Sequence, residues 1–178
     1  MKYIFDFDDV VFNNTSMFKK VMFSLIKAEG VDLNKAKKLY KKLRAKEFSL
    51  LKFLRLLFKS RKNKDLLVQN LYKKILQDCS LFLNKEIMRM IKKAGREDCY
   101  LVTNGEKKFQ RDKIKKAGVV PLFKEIHIVS DTKKEVIEKI CVKNKNEKII
   151  FIDDKSIFFK DINMRVCKNL KTVLYRRK

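Results

Sequence analysis

Two aspartates, Asp6 and Asp8, stand two positions apart near the start of the chain. They follow the apolar run at residues 2–5 and precede a second apolar run at residues 10–12. Side chains at i and i+2 of an extended segment point the same way, so we expect both carboxylates to face one pocket. Their mutual repulsion would be offset by a divalent cation, a protonated carboxyl or both. The pattern therefore favours a catalytic site over a solvated turn.

Three further polar clusters follow apolar runs later in the chain. They are Thr103 with Asn104, Lys133 with Lys134, and Asp153 with Asp154. A third carboxylate from Asp153 or Asp154 would complete the set of hard oxygen ligands that magnesium prefers. The Thr103 hydroxyl, the Asn104 amide and a lysine ammonium would supply donors and positive charge for phosphoryl oxygens. Together these groups predict phosphoryl transfer.

Other chemistries are disfavoured by the residues that the sequence offers. It contains no glycine-rich phosphate loop, and its single histidine, His127, lies inside a strand-like run. Nucleotide binding through a glycine-rich phosphate loop and catalysis by histidine are therefore both disfavoured. The four cysteines show no CxxC spacing. Buried, reduced thiols are favoured over a disulfide framework or a zinc site, which suits a cytoplasmic protein.

Five short apolar runs predict the strands that would position these clusters. They cover residues 2–5, 99–102, 125–129, 148–152 and 172–175. Apolar residues at helical spacing predict helices over residues 106–117 and 133–142. Alternating strands and helices indicate an α/β fold with a mostly parallel sheet covered on both faces. Such sheets gather functional residues at the carboxyl ends of their strands, where all four polar clusters fall.

The interval between the first two predicted strands has a different pattern. Its apolar residues recur every three or four positions, and it has no strand-like run. This spacing predicts a helical insert. We expect an α-helical cap at residues 15–78, inserted into an α/β core formed by residues 1–14 and 79–178. A helical block in this position would lie as a lid over the strand ends.

The formal charge of +24 predicts attraction to anions such as phosphorylated substrates, nucleic acid or an anionic membrane surface. A general bias of the composition toward lysine would explain the same excess of positive charge without any anionic partner. Residues 19–74 hold 18 Lys or Arg against 4 Asp or Glu. The amphipathic basic stretch at residues 48–64 could bind a membrane surface or nucleic acid. We favour the interpretation that its apolar residues pack inside the cap and its lysines are exposed to solvent.

Export and membrane insertion are not indicated. The first residues do not resemble a signal peptide. The apolar stretches are also broken by charge well before the roughly 18 residues that a membrane span needs. We expect a soluble, cytoplasmic protein, and the sequence does not indicate its oligomeric state.

The four clusters, taken in order, resemble the motifs of the haloacid dehalogenase superfamily, in the branch with a helical cap. Residues 5–12 look like the first motif, residues 102–105 like the second, and residues 150–154 like the fourth in its double-aspartate form. The stretch that follows the second motif, which includes Gln110 and Lys113, is similar to that of many small phosphatases. The resemblance covers nearly all of the chain outside the cap.

Two departures from the family pattern affect the site. The third motif usually has lysine followed by proline, whereas this chain has Lys133 and Lys134 in succession. Alignment of the helix that follows favours Lys133 as the family lysine. Phe158 stands four residues after Asp154, where an aspartate is often found, so metal ligation would fall to Asp153 and Asp154.

The resemblance implies a magnesium-dependent phosphomonoester hydrolase. Asp6 would be the nucleophile that forms an aspartyl-phosphate, and Asp8 would be the general acid and base. Mg²⁺ would be held by the Asp6 carboxylate, the Asp8 backbone carbonyl and Asp154, with Asp153 nearby or bound through water. The phosphoryl group would be oriented by Thr103, Asn104 and Lys133.

The substrate that we expect is a small phosphorylated metabolite. Two alternatives remain, a phosphatase acting on nucleic-acid ends and a non-enzymatic phosphate- or nucleic-acid-binding protein on the same fold. Dehalogenation is disfavoured, because Asp8 beside a metal-binding pair suits phosphate chemistry.

Overall fold

One parallel sheet forms the centre of the protein in the computed structural model, which describes residues 1–45 and 47–176. Its strands are β1 (Lys2–Phe5), β2 (Cys99–Asn104), β3 (Glu125–Val129), β4 (Ile149–Asp153) and β5 (Leu170–Leu174). They are ordered β3-β2-β1-β4-β5, and every pair is parallel. The five predicted strands are confirmed, and the sheet is entirely rather than mostly parallel.

The central position of β1 follows from its composition. Ile4 and Phe5 are fully buried, and the neighbouring β2 is a nearly continuous apolar run, as expected for strands covered on both faces. Phe5 is in register with Leu101 of β2 and Ile152 of β4. The Asp6 backbone N–H also donates to the Ile152 carbonyl at 2.9 Å. This pairing sets Asp6 beside the end of β4 at the carboxyl edge of the sheet.

Eight α-helices surround the sheet in the described part of the chain. They are α1 (Lys19–Ala28), α2 (Leu33–Arg44), α3 (Leu50–Leu57), α4 (Lys64–Gln77), α5 (Lys85–Ala94), α6 (Lys107–Lys116), α7 (Lys134–Lys143) and α8 (Ile157–Lys160). A π-helical turn, Asn14–Phe18, leads directly into α1. Helices α6 and α7 confirm the two predicted helices. No helix in the described ranges is long and apolar enough to cross a membrane.

Helices α1 to α4 make up the block between the first two strands. Local signals set their ends: the Asp32 carboxylate accepts from the Lys35 backbone N–H at the start of α2, and Gly30 follows α1 with a φ of +77°. The block packs onto the core through aromatic rings, since Phe18 and Phe48 both lie about 6 Å from Phe109 of α6, centroid to centroid. A division into a cap at residues 15–78 and a core at residues 1–14 and 79–178 stays a prediction.

Helix α5 has no counterpart in the sequence-based prediction. Asn84 begins it, because its side-chain oxygen accepts from the backbone N–H groups of Glu86 and Ile87. The Asn84 amide also donates to the Val10 carbonyl at 3.0 Å and to the Tyr175 hydroxyl at 2.6 Å. The residue that begins α5 therefore also fixes the loop that follows β1.

Candidate active site

Asp6 lies at the carboxyl end of the central strand and is only 4% exposed. Burial raises the pKa of its carboxyl to about 6, against the attraction of the Lys133 ammonium. A carboxylate so placed has lost most of its contact with water. It is a strong candidate for a group that reacts with a bound substrate, because a less hydrated nucleophile has less solvent to displace.

Lys133 connects the two central strand ends. Its Nζ lies 2.6 Å from Asp6 Oδ1 and 2.6 Å from Asp153 Oδ2, and the side chain is 1% exposed. Burial lowers the pKa of Lys133, but the two carboxylates outweigh it and raise that pKa above its ordinary value. Lys134 is instead the first residue of α7, and its backbone N–H donates to the Thr132 hydroxyl. Of the two lysines, the structure brings Lys133 into the site.

The carboxylates of Asp6, Asp153 and Asp154 form a compact acidic cluster. Each offers one oxygen, and these oxygens lie within 4.8 Å of one another. Burial raises the pKa of both Asp153 and Asp154. Ligand oxygens on opposite sides of a magnesium ion are about 4 Å apart, so the cluster is close to the size that this ion requires.

Asp153, the last residue of β4, and Asp154, which follows it, have different partners. Asp153 uses both oxygens, one accepting from Lys133 Nζ and the other from the Lys155 backbone N–H at 2.8 Å. Asp154 Oδ1 is buried and has no hydrogen-bond partner among the described residues. A buried carboxylate oxygen without a hydrogen-bond partner is well suited to bind a cation. The residues present therefore fit a magnesium site in which Asp154 is a direct ligand.

The Asp8 carboxylate points toward α6 and lies outside the acidic cluster. It accepts from Lys113 Nζ at 2.6 and 2.8 Å and from Gln110 Nε2 at 2.9 Å. Sequence reasoning assigned no role to either side chain. Their spacing of three on a helix, immediately after the second polar cluster, was the available signal, because residues i and i+3 share one helix face.

Thr103 and Asn104 form the end of β2, the strand that pairs with β1. The Thr103 hydroxyl is buried with no hydrogen-bond partner in the described ranges, and so is available to an oxygen of a bound group. The Asn104 side-chain amide donates to the Asp131 backbone carbonyl. That Thr103 donates to a phosphoryl oxygen stays a prediction, and Asn104 is engaged in holding the loop after β3.

A cavity of about 270 Å³ opens between the helical block and the strand ends. Its walls include Asp8, Lys113 and Asn104 from the sheet side and Lys19, Tyr40 and Arg44 from α1 and α2. The cavity reaches Asp8 directly. A group bound there would therefore meet both the predicted acid and base and the side chains of the insert.

Solved structures of other proteins share this architecture. A protein described as a haloacid dehalogenase-like hydrolase, from Burkholderia xenovorans, is 15% identical with a TM-score of 0.72, covering 99% of this chain and 82% of that one. A β-phosphoglucomutase from Thermotoga maritima is 12% identical with a TM-score of 0.63, covering 100% and 88%. The HAD-hydrolase YfnB from Bacillus subtilis, bound to magnesium, is 16% identical with a TM-score of 0.57, covering 96% and 84%.

Sequence comparison adds no closer relative. No family model matches the sequence, and no curated protein matches it. At 12–16% identity the structural likeness shows the fold, and the chemistry has to be argued from the site.

Proposed function

From the fold, which is that of the haloacid dehalogenase-like hydrolases, and from its site, we propose that this protein hydrolyses phosphomonoesters through a phosphorylated Asp6. One observation carries the proposal. The buried Asp6 carboxylate lies 2.6 Å from the Lys133 ammonium and beside Asp154, whose buried Oδ1 has no hydrogen-bond partner in the described part of the chain. This arrangement supports roles for Asp6 as the nucleophile, Lys133 as the charge-neutralising cation and Asp154 as a metal ligand.

The reaction has two steps. In the first, an Asp6 oxygen attacks phosphorus, the bond from phosphorus to the ester oxygen breaks, and Asp8 gives a proton to the leaving oxygen. In the second, Asp8 takes a proton from a water molecule, which attacks phosphorus and releases inorganic phosphate and the free Asp6 carboxylate. Lys133 and the Thr103 hydroxyl, which has no hydrogen-bond partner among the described residues, would orient the phosphoryl oxygens throughout.

Magnesium fits this scheme as the cofactor. Asp6, Asp154 and the Asp8 backbone carbonyl would hold the ion, with Asp153 kept in place by Lys133 and bound to the ion through water. When bound, the ion would neutralise charge on the phosphoryl oxygens.

The size of the cavity supports a small phosphorylated metabolite as the substrate. A volume of about 270 Å³ lies just below the range of roughly 300–1,000 Å³ that is usual for ligand-binding cavities, and helices α1 and α2 form one wall of it. A nucleic-acid end is the second candidate, because the insert at residues 19–74 holds 18 Lys or Arg against 4 Asp or Glu. The four cysteines are free and buried, which supports the cytoplasm as the compartment.

The test is hydrolysis of an aryl phosphate with magnesium present, together with mass-spectrometric detection of a phosphorylated Asp6. We expect Asp6→Asn to lose both activity and phosphorylation, while Asp65→Asn, at an exposed position on α4, matches the wild type. Removal of magnesium by a chelator should also stop the wild-type reaction. Hydrolysis by Asp6→Asn at the wild-type rate would refute the proposal.

A further inference from the structure

Lys113 is a buried charge with an unusual position for a lysine. Its side chain is 1% exposed, although it lies in the middle of α6 on a protein with many solvated lysines. Buried lysines are rare unless they are paired. The acceptors within hydrogen-bond distance of Lys113 Nζ, among the described residues, are the two oxygens of Asp8. The lysine is therefore dedicated to that one carboxylate.

Four phenylalanine rings surround the Lys113 ammonium. Their centroids lie 4.7 to 5.8 Å from Nζ and belong to Phe7, Phe12, Phe18 and Phe109. Aromatic faces attract a cation, and they also exclude water that would weaken the ion pair. The rings hold the ammonium in place, so it fixes the position of the carboxylate that it touches.

Gln110 supplies a further hydrogen bond from the same helix face. Its Nε2 donates to Asp8 Oδ2 at 2.9 Å and to the Asn104 carbonyl at 3.0 Å. Gly105 leaves room for this side chain, because a Cβ at that position would lie 2.9 Å from Gln110 Nε2 and 3.1 Å from its Cγ. The loop after β2 and helix α6 are thus built around the contact with Asp8.

These contacts leave one side of Asp8 available. A carboxylate has about four acceptor positions on its two oxygens. Lys113 and Gln110 occupy three, two from the ammonium and one from the amide. The side chain keeps 21% exposure and lines the cavity between the helical block and the strands. The remaining position on Oδ1 can therefore meet a leaving oxygen or a water molecule in that cavity.

We propose that Lys113, assisted by Gln110, is a positioning residue that orients the Asp8 carboxylate for proton transfer in the cavity. The inference rests on the proposed function and deepens it. Lys113 acts through Asp8 and does not touch Asp6, whose lysine partner is Lys133. Its loss should therefore impair the steps that move a proton and spare the attack of Asp6 on phosphorus.

The experiment compares two substrates in rapid-mixing measurements with magnesium present. Dinitrophenyl phosphate has a leaving group that needs no proton, whereas an alkyl phosphate needs one. We expect Lys113→Met to slow phosphoryl transfer from the alkyl phosphate by about 100-fold or more, the usual contribution of general acid catalysis. The burst of dinitrophenolate, at one equivalent per enzyme, should stay within a few-fold of the wild-type rate, followed by slow turnover.

Two further variants keep the test decisive. Lys116→Met makes the same change at an exposed position on α6 and should match the wild type with both substrates. Gln110→Met removes one of the three hydrogen bonds and should give the same substrate-dependent pattern with a smaller loss of about tenfold, and it carries the test if Lys113→Met does not fold. Circular dichroism verifies the fold of each variant.

The outcomes separate this inference from the proposed function. Equal losses with both substrates, or no loss with either, in a folded Lys113→Met or Gln110→Met would overturn the positioning role while leaving the phosphatase intact. A wild-type protein that forms no phosphorylated Asp6 and releases no dinitrophenolate would overturn the proposed function, and the positioning role with it.

Discussion

Asp6 and Asp8 are two positions apart, yet each carboxylate pairs with a different buried lysine. Asp6 lies 2.6 Å from Lys133, which precedes α7, and Asp8 lies 2.6 Å from Lys113 in the middle of α6. The predicted nucleophile and the predicted acid and base are thus held by separate elements on the two sides of β1. Substitutions of the two lysines should therefore have different kinetic consequences.

The first prediction separates Lys133 from its neighbour. Lys133→Ala should lower turnover by roughly 100-fold or more, because the site loses a cation that stabilises charge in the transition state. It should also lower the free energy of unfolding by about 3–5 kcal/mol, since two buried carboxylates lose their partner. Steady-state kinetics and urea unfolding measure both effects. Lys134→Ala is the control, and a loss of activity there instead would assign the role to Lys134.

The second prediction distinguishes the two aspartates at the end of β4. Asp154→Asn should weaken magnesium binding at least tenfold in calorimetric titrations, because Asp154 belongs to the acidic cluster and its buried Oδ1 has no hydrogen-bond partner among the described residues. Asp153→Asn should mainly reduce stability, by about 1–3 kcal/mol, because Lys133 loses a charged partner. Unchanged magnesium affinity in Asp154→Asn would exclude that residue as a ligand.

The third prediction concerns the contact between α4 and α6. The Tyr72 hydroxyl donates to Asp112 at 2.7 Å, and Lys108 donates to the same carboxylate oxygen at 2.8 Å. Burial acts to raise the pKa of Asp112, but these two hydrogen bonds outweigh it and hold that pKa below its ordinary value. The carboxylate therefore contributes stability above about pH 4, and the contribution is lost as the pH falls through the folded-state pKa.

Tyr72→Phe tests this contact through urea unfolding at several pH values. At neutral pH it should cost about 1 kcal/mol, the usual net contribution of one hydrogen bond. The difference from wild type should narrow below about pH 4, as Asp112 takes up a proton. In an Asp112→Asn background the effect of Tyr72→Phe should not vary with pH. A difference that widens on acidification would contradict the assigned sign.

The fourth prediction tests whether the basic insert has a function. A small-metabolite phosphatase should show no preference for phosphate-ended oligonucleotides over sugar phosphates and only weak salt dependence, because only the phosphate and its immediate neighbours enter the cavity. Lys59 and Lys62 are exposed between α3 and α4, and Lys64 is exposed at the start of α4. Replacing all three with glutamine should leave the kcat/KM for small phosphates unchanged.

Arg61 is left in place in that variant, because its guanidinium donates to the Glu29 carbonyl at 3.1 Å and joins the end of α1 to this segment. A strong preference for oligonucleotides that disappears both in high salt and in the triple variant would establish the second candidate function instead.

The sequence was most informative about the sheet. Strands β1, β2 and β4 are short apolar runs that end in polar residues, and central parallel strands cannot be covered on both faces without that composition. Because all the strands run the same way, their polar ends had to meet at one edge. The order of the motifs therefore predicted that Asp6, Thr103 and Asp153 would be neighbours.

The partners of Asp8 could not be predicted in the same way. The rule that side chains at i and i+2 face one side holds for a strand, but β1 ends at Phe5 and the chain then turns, with Asp9 at a φ of +62°. The partner that Asp8 acquires depends on how α6 packs beside this turn. The sequence places Lys113 on one helix face with Gln110, but the burial among aromatic rings that identifies it as the partner of Asp8 is visible only in the structure.

The central position of β1 has a consequence for how the chain folds during synthesis. Its first partner, β2, begins at Cys99, and its second, β4, begins at Ile149, so β1 is synthesised well before the two strands that flank it. Contacts between residues this far apart in sequence form slowly. The helices between β1 and β2 can form earlier, because their hydrogen bonds are local. A ribosome-bound chain that ends before β4 contains Asp6 but not Asp153 or Asp154, so the proposed activity should arise only after β4 has been synthesised.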